Sequence, residues 1–322
     1  MSAIQTSIMA PSRFKSWELM VWVVAFVMPF LMPNHSLLIS EIAITALFAL
    51  SLDLVLGYTG IVSLGHAAFF GMGAYAAALF AKHVNPDPSF GLVIALAVTT
   101  ALGAFCSLTI MRGSDLTRLM VTLGMALILQ ELANKLDWLT GGADGLQGVM
   151  MGPVLGRFEF DLYGQTAAWY AITVALLFFI LMRRWLSSSF GANLQAIRDN
   201  RLRAMSIGIH VHSHLAIVYT VAAAVAGVAG GLHAQTTGFA SLDVFSFDRS
   251  ADLMLMLVIG GTGWLWGGIA GAVVFKFLHS IISAITPQYW TFWIGLFLVV
   301  LVSVGREKFI RPLTWFKKEG AP

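Results

Sequence analysis

Long apolar runs alternate with short polar segments along almost the whole chain. A helix rises 1.5 Å per residue, so a run of about 20 apolar residues can cross the ~30 Å hydrocarbon core of a bilayer. The pattern predicts about ten helical segments, near residues 17–33, 37–57, 61–81, 90–111, 116–136, 166–181, 215–235, 251–261, 265–285 and 289–304. The eighth is too short to cross and ends in Gly260-Gly-Thr-Gly263, which indicates a broken or re-entrant element.

Composition supports this interpretation. The chain is 58% hydrophobic and only 11% charged, whereas soluble domains are about 45–50% apolar and about 25% charged. Too little polar surface is left to face water, so the predicted fold class is an all-α polytopic membrane protein with short or broken helices among its segments. The single cysteine, Cys106, excludes an intramolecular disulfide.

The distribution of Lys and Arg predicts the orientation. With the N-terminus inside, 14 of the 19 basic residues fall on the cytoplasmic side, as the positive-inside rule requires. The opposite side holds only Lys82, Lys135, Arg157 and Arg249, and Lys276 lies within a span. We expect a cytoplasmic N-terminal tail at 1–16, a transmembrane domain at 17–305 and a cytoplasmic C-terminal tail at 306–322.

Two loops are long, an external one at 137–165 and an internal one at 187–214. The internal loop predicts a helix over 193–206 that is ended by Gly208, with Leu194, Ile197 and Met205 on one apolar stripe. Such a helix lies on the membrane or fits a partner's groove. A plain positively charged loop is the alternative.

Two similar turns are predicted at the inner side, Tyr58-Thr-Gly60 and Gly261-Thr-Gly263, each followed by Gly-rich helices. Transporters often contain internal repeats, although chance clustering of Gly explains the similarity equally well. Asp53 lies close enough to cap or bond at the first of these turns.

Polar residues within spans are costly and usually face the bundle interior or pair with one another. Glu131 and Lys276 differ in depth by roughly 6 Å, and we expect them to pair or to line a common path; the alternative is that each bonds locally. Ser63 and His66 are further path candidates, although a packed, hydrogen-bonded histidine is the simpler interpretation. His210, His212 and His214 alternate, but no nearby Cys or carboxylate completes a metal site.

The internal loop also contains Ala196-Ile-Arg-Asp-Asn200, Arg203-Ala204 and Gly208-Ile209. This stretch resembles the coupling helix of the branched-chain amino-acid ABC permease family. Further similarities follow in the family's order: Leu52-Asp-Leu-Val-Leu-Gly-Tyr-Thr-Gly60, Ser63-Leu-Gly-His-Ala-Ala-Phe-Phe-Gly-Met-Gly-Ala-Tyr75, Thr140-Gly-Gly-Ala-Asp-Gly-Leu146 and Gly260-Gly-Thr-Gly-Trp-Leu-Trp-Gly-Gly268.

The resemblance is to the second of the two permease subunits in that system. It implies a type II-like ABC importer bundle in a bacterial inner membrane. The implied ATPase contacts are Ala196, Ile197, Arg198, Asp199, Asn200, Arg203, Ala204 and Gly208. The implied partners are two cytoplasmic ATP-binding subunits, a second permease, an extracytoplasmic substrate-binding protein and membrane lipid, with no nucleic acid.

No Lys follows Gly and precedes Ser or Thr, so the phosphate-binding loop signature is absent. We therefore expect a transport subunit rather than an enzyme, with no cofactor of its own, while partner subunits use ATP and Mg²⁺. The alternative is an ion-coupled secondary transporter acting alone, a class that usually places carboxylates at broken helices near the midplane. The substrate stays open among branched-chain and other amino acids, urea, amides and aromatic acids.

Overall fold

A computed structural model describes residues 15–110, 115–161 and 163–304. Its helices are α1 (Ser16–Leu31), α2 (Ser36–Thr59), α3 (Ala67–His83), α4 (Pro88–Ile110), α5 (Asp115–Lys135), α6 (Asp137–Thr140), α7 (Gln165–Leu186), α8 (Ser189–Asp199), α9 (Arg201–Ser206), α10 (Val211–Thr237), α11 (Phe247–Gly260), α12 (Leu265–Ile285) and α13 (Trp290–Val304). Short 3₁₀ turns lie at Pro33–His35, Gly142–Asp144 and Leu242–Phe245. The terminal tails predicted at 1–16 and 306–322 lie almost wholly outside the described residues.

Each predicted apolar segment corresponds to a helix, which confirms the all-α prediction. Among the described residues, six stretches are long and apolar enough to cross a membrane: Pro33–Thr59, Pro88–Ile110, Leu116–Lys135, Gln165–Leu186, Val211–Thr237 and Leu265–Ile285. The other four segments form α1, α3, α11 and α13, which have 14 to 17 residues. In the part of the chain that the structure describes, ten is therefore the number of predominantly apolar helices and is too high for helices long enough to cross a membrane.

The core is built around α2 and α10, most of whose side chains are buried. A Cβ on Gly73 of α3 would lie 2.0 Å from the Gly227 carbonyl oxygen of α10. Only glycine permits so close an approach, and small residues at such contacts are how membrane helices pack.

The helices α11 and α12 form a tight pair joined by a short turn. A Cβ on Gly271 of α12 would lie 1.9 Å from the Met256 carbonyl oxygen of α11. At 14 residues, α11 is about 21 Å long, so the prediction of a short element ending at the Gly-rich turn is confirmed.

A buried ion pair fixes α1 to the bundle. Glu18 is 4% exposed, and its Oε2 accepts a hydrogen bond from Arg183 Nη1 of α7 at 2.6 Å. Its Oε1 accepts another from Trp266 Nε1 of α12 at 3.0 Å. One carboxylate therefore holds three helices together.

Candidate functional site

The predicted internal helix is in fact two helices, α8 and α9, separated at Asn200. This residue has an extended backbone (φ −159°, ψ 106°), and its Oδ1 accepts a hydrogen bond from Arg203 N at 3.0 Å. The prediction of one continuous helix over 193–206 is therefore wrong. Asn side chains bond to nearby backbone N–H groups and are favoured at the N-cap, the residue just before the first residue of a helix.

The apolar stripe on this α8–α9 segment divides between two faces. Leu194 and Ile197 are fully buried against the bundle, but Met205 is 45% exposed, so its predicted place on the same stripe is wrong. Met205 instead joins Leu202 and Ile207, which are 73% and 69% exposed. Exposed apolar side chains grouped in this way mark interaction surfaces.

The other residues of the predicted coupling motif fall into the same two groups. Ala204 is buried and Ala196 is half-buried, whereas the exposed members are Arg198, Asp199, Asn200, Arg203 and Gly208. Gly208 has a φ of +87° and follows the end of α9 at Ser206, as predicted. The segment therefore presents one face to the bundle and another to its surroundings.

Arg198 ties α8 to the end of α2. Its Nη1 donates a hydrogen bond to the Gly57 carbonyl oxygen. Beside it, Asp53 Oδ1 accepts a hydrogen bond from Gly263 N at 2.8 Å, so Asp53 bonds to the second Thr-Gly turn and not, as predicted, to the first. We call the group formed by Asp53, Gly57, Arg198 and Gly263 the turn contact.

The two Thr-Gly turns noted in the sequence meet at the turn contact. A Cβ on Gly57 would lie 2.1 Å from Asp53 Oδ1 and 2.3 Å from Gly263 N. The backbone of α2 and the α11–α12 turn therefore touch, with Arg198 beside both. Sequence similarity between the turns gave no sign that they are neighbours.

His66 and Ser63 lie in the non-helical stretch between α2 and α3, and both are buried. His66 Nε2 is 2.9 Å from Ser51 Oγ, and the imidazole stacks on the Phe48 ring at 5.8 Å between centroids. This environment is that of a packed, hydrogen-bonded histidine. His214 is likewise held by packing, with Nε2 3.2 Å from Asn193 Nδ2.

The predicted pairing of Glu131 with Lys276 is wrong. Lys276 Nζ instead lies 3.1 Å from Glu41 Oε2 of α2. Glu131 is exposed and lies 3.6 Å from Lys135 on its own helix. Their similar depths along two helices carried no information about which helices are neighbours.

Lys276 opens onto a cavity of about 400 Å³ at the end of the bundle away from α8 and α9. Its polar lining consists of Glu41, Thr45, His233, Asp243, Ser246, Asp248, Arg249, Asp252, Lys276 and His279. Its apolar lining consists of Ile44, Phe48, Phe70, Leu253, Met256, Phe275 and Trp290. Of the four predicted path residues, only Lys276 lines this charged cavity.

Comparison with known proteins agrees with this architecture. The model of a family described as "Branched-chain amino acid transport system / permease component" matches residues 35–302. The chain is 27% identical to the high-affinity branched-chain amino acid transport system permease protein LivM of Salmonella typhimurium, over 91% of this chain and 73% of the relative. The LivM protein of Escherichia coli is 26% identical over the same shares.

The high-affinity branched-chain amino acid transport system permease protein LivH of Escherichia coli is 24% identical, over 80% of this chain and 87% of its own. No solved structure gives a significant match. The family match covers most of the chain, including α2 to α12 and the α8–α9 segment. The chain therefore belongs to the family of permease components of branched-chain amino acid transport systems.

Proposed function

We propose that this chain is the permease subunit of an ATP-driven importer for branched-chain or related amino acids, coupled to a separate ATPase through the α8–α9 segment. The observation that carries the proposal is the turn contact, where the motif residue Arg198 bonds to the end of α2. The relatives are named as permeases for high-affinity branched-chain amino acid transport, which supports the substrate class.

The buried face of α8 suits it to transmit movement. Leu194 and Ile197 are fully buried, and closely packed interiors shift as units rather than deforming smoothly. Displacement of the α8–α9 segment by a partner would therefore displace the end of α2. That helix has 24 residues, about 36 Å at helical rise, and it reaches the charged cavity through Phe48 and Glu41.

The exposed face of the α8–α9 segment suits it to dock. Leu202, Met205 and Ile207 project away from the bundle beside Arg203. Interfaces typically surround an apolar centre with a polar rim. We assign this face to the ATPase and the α8–α9 segment to the cytoplasm. The bias of Lys and Arg supports the proposal that both chain termini are cytoplasmic as well.

The remaining partners follow from this assignment. ATP and Mg²⁺ belong to two cytoplasmic ATP-binding subunits, since the chain lacks the Gly-Lys-Ser/Thr signature. A second permease completes the path, and an extracytoplasmic binding protein delivers the substrate. The similarity to both LivM and LivH, two permeases of one system, supports a paired arrangement.

An ion-coupled transporter acting alone is the second candidate. One observation favours it: Asp252 of the short helix α11 lines the charged cavity together with Glu41, and secondary transporters place ion-coupling groups at such elements. Uptake driven by an ion gradient without any ATPase is the property that separates it from the first proposal.

The test is to purify the tagged full-length chain and identify what accompanies it, then to measure uptake in proteoliposomes. We expect an ATPase and a second permease to co-purify, and leucine uptake to require ATP together with the binding protein. Uptake by the chain alone in ATP-free vesicles under an imposed Na⁺ or proton gradient would reject the ATP-driven proposal.

A further inference from the structure

The charged cavity has a charge pattern that suits one class of ligand. We propose that it binds an α-amino acid as a zwitterion, with its ammonium on the carboxylates of α11 and its carboxylate on Lys276. This inference rests on the proposed function and adds a site and a recognition mode to it. The volume of about 400 Å³ falls within the ~300–1,000 Å³ range of small-molecule sites.

Polarity changes along the depth of the charged cavity. On α2 the lining runs from Glu41 through Thr45 to Phe48, seven residues or about 10 Å further in. On α11 it runs from Arg249 and Asp252 to Met256. Charged groups therefore lie at the mouth and apolar groups at the base, which matches a ligand with one charged and one apolar end.

The cations of the charged cavity are already paired. Lys276 Nζ lies 3.1 Å from Glu41 Oε2, and Arg249 donates to Asp243 Oδ2 from Nε at 3.1 Å and from Nη2 at 2.8 Å. Glu41 is 48% exposed, so its carboxylate can turn away to solvent. A ligand carboxylate can then replace it on Lys276, whose side chain is 15% exposed.

Carboxylates outnumber cations in the lining, since Glu41, Asp243, Asp248 and Asp252 face only Lys276 and Arg249. Within the described part of the chain, Asp248 and Asp252 form no ion pair. The excess negative charge attracts an ammonium group. A zwitterion supplies that ammonium together with a carboxylate for Lys276, so its binding leaves the total charge of the cavity unchanged.

The base of the charged cavity is closed by aromatic side chains. The Phe48 and Phe70 rings lie 4.5 Å apart, and Phe70 also contacts His233 at 5.5 Å between centroids. Behind Phe48 lies the buried pair of His66 and Ser51. A branched apolar side chain would rest on these rings, and their separation would be needed for passage further in.

Cysteine labelling tests this site, because the only natural cysteine, Cys106, is buried. Thr45→Cys places a thiol in the lining, and Leu253→Cys is a second reporter should the first fail to accumulate. The matched control is Thr237→Cys, which lies outside the cavity lining. Thr45 and Thr237 each bond through their hydroxyl to the carbonyl four residues earlier, at 2.7 and 2.8 Å.

The full chain in nanodiscs is labelled with a cationic methanethiosulfonate, with and without leucine. We expect leucine at about ten times its Kd to slow labelling of Thr45→Cys about tenfold, because only about one site in eleven stays free. Labelling of Thr237→Cys should not change. Failure of leucine to protect either reporter, or equal protection of the control, would overturn the proposal.

Ligand analogues that lack the carboxylate or the ammonium test which cavity residue binds each of these groups. We expect Lys276→Met to weaken protection by leucine at least about tenfold but to spare leucinol, which lacks the carboxylate. Asp252→Asn should weaken protection by both ligands but spare 4-methylpentanoate, which lacks the ammonium. Protection by Na⁺ alone, with no effect of leucine, would make the cavity an ion site and refute the zwitterion assignment.

This assay uses no ATP and no ATPase, so it is independent of the coupling test. ATP-driven uptake with no leucine protection would reject the zwitterion site and leave the proposed function standing. Leucine protection without ATP dependence of uptake would reject the ATP-driven function and leave the site standing.

Discussion

The buried pair of Glu18 and Arg183 gives a measurable prediction about how α1 is held. Glu18→Gln keeps the side-chain shape and can still accept from Trp266, but it removes the carboxylate charge that faces the Arg183 guanidinium. Both residues are about 5% exposed and their polar atoms are 2.6 Å apart. Removing one partner of a buried pair typically costs about 3–5 kcal/mol, whereas replacing both with neutral groups costs far less.

We therefore expect Glu18→Gln to lower the free energy of unfolding by about 3 kcal/mol or more, and Glu18→Gln with Arg183→Met to recover part of that loss. Unfolding of the detergent-solubilised chain by denaturant, followed by tryptophan fluorescence, measures both. The control pair is Glu131 and Lys135, which are 58% and 74% exposed; Glu131→Gln there should cost no more than about 0.5 kcal/mol. Equal effects at the two pairs, or additive losses in the double variant, would mean that the ion pair of Glu18 and Arg183 does not stabilise the fold.

Three further predictions concern single groups. Asn200→Ala removes the cap of α9 and should destabilise the chain by about 1 kcal/mol, while Asn200→Asp should restore it; equal stability of all three chains in denaturant unfolding would contradict the cap. Gly57→Ala forces its Cβ against Gly263 N and Asp53, so we expect about 1–3 kcal/mol lower stability in the same measurement, and unchanged stability would contradict the close contact. Burial of the Asp161 carboxyl opposes its ionisation, but hydrogen bonds from Thr166 N and the neighbouring backbone outweigh burial and lower its pKa. Its stabilisation is therefore present above the unfolded pKa of about 4 and lost as pH falls through the lower folded value; Asp161→Asn should flatten that part of the stability profile, and an unchanged profile would contradict the assignment.

The sequence predicted the positions of helices better than it predicted which helices pack against each other. Hydrophobic runs located all ten apolar helices, because burial in lipid or in a helical core leaves a local signal of length and composition. The position of Lys276 in a span was predicted for the same reason. Its partner Glu41 was missed, since a pair 235 residues apart depends on how helices pack, which periodicity does not encode.

The charged cavity could not have been predicted at all, because its lining comes from helices that are distant in the chain. The break at Asn200 could have been predicted. Asn is a preferred N-cap residue, because its side chain accepts a hydrogen bond from the backbone N–H three residues later. Met205 belongs to the second helix, and it is exposed whereas Leu194 of the first helix is buried. The turn contact could be predicted only in part. Asp53 and Gly263 could each be singled out from the local sequence, but nothing in the sequence showed that they are in contact.

In the proposed transporter, the α8–α9 segment couples the bundle to an ATPase through Arg198. ATP-driven leucine uptake by the assembled transporter carrying Arg198→Glu tests this coupling. The matched control is Arg184→Glu, the same change of charge at an exposed position in the last turn of α7. The new carboxylate at 198 cannot donate to Gly57 and faces Asp53, so we predict uptake at background level with normal membrane insertion, while Arg184→Glu transports normally. Normal uptake by Arg198→Glu would mean that Arg198 does not couple the bundle to the ATPase.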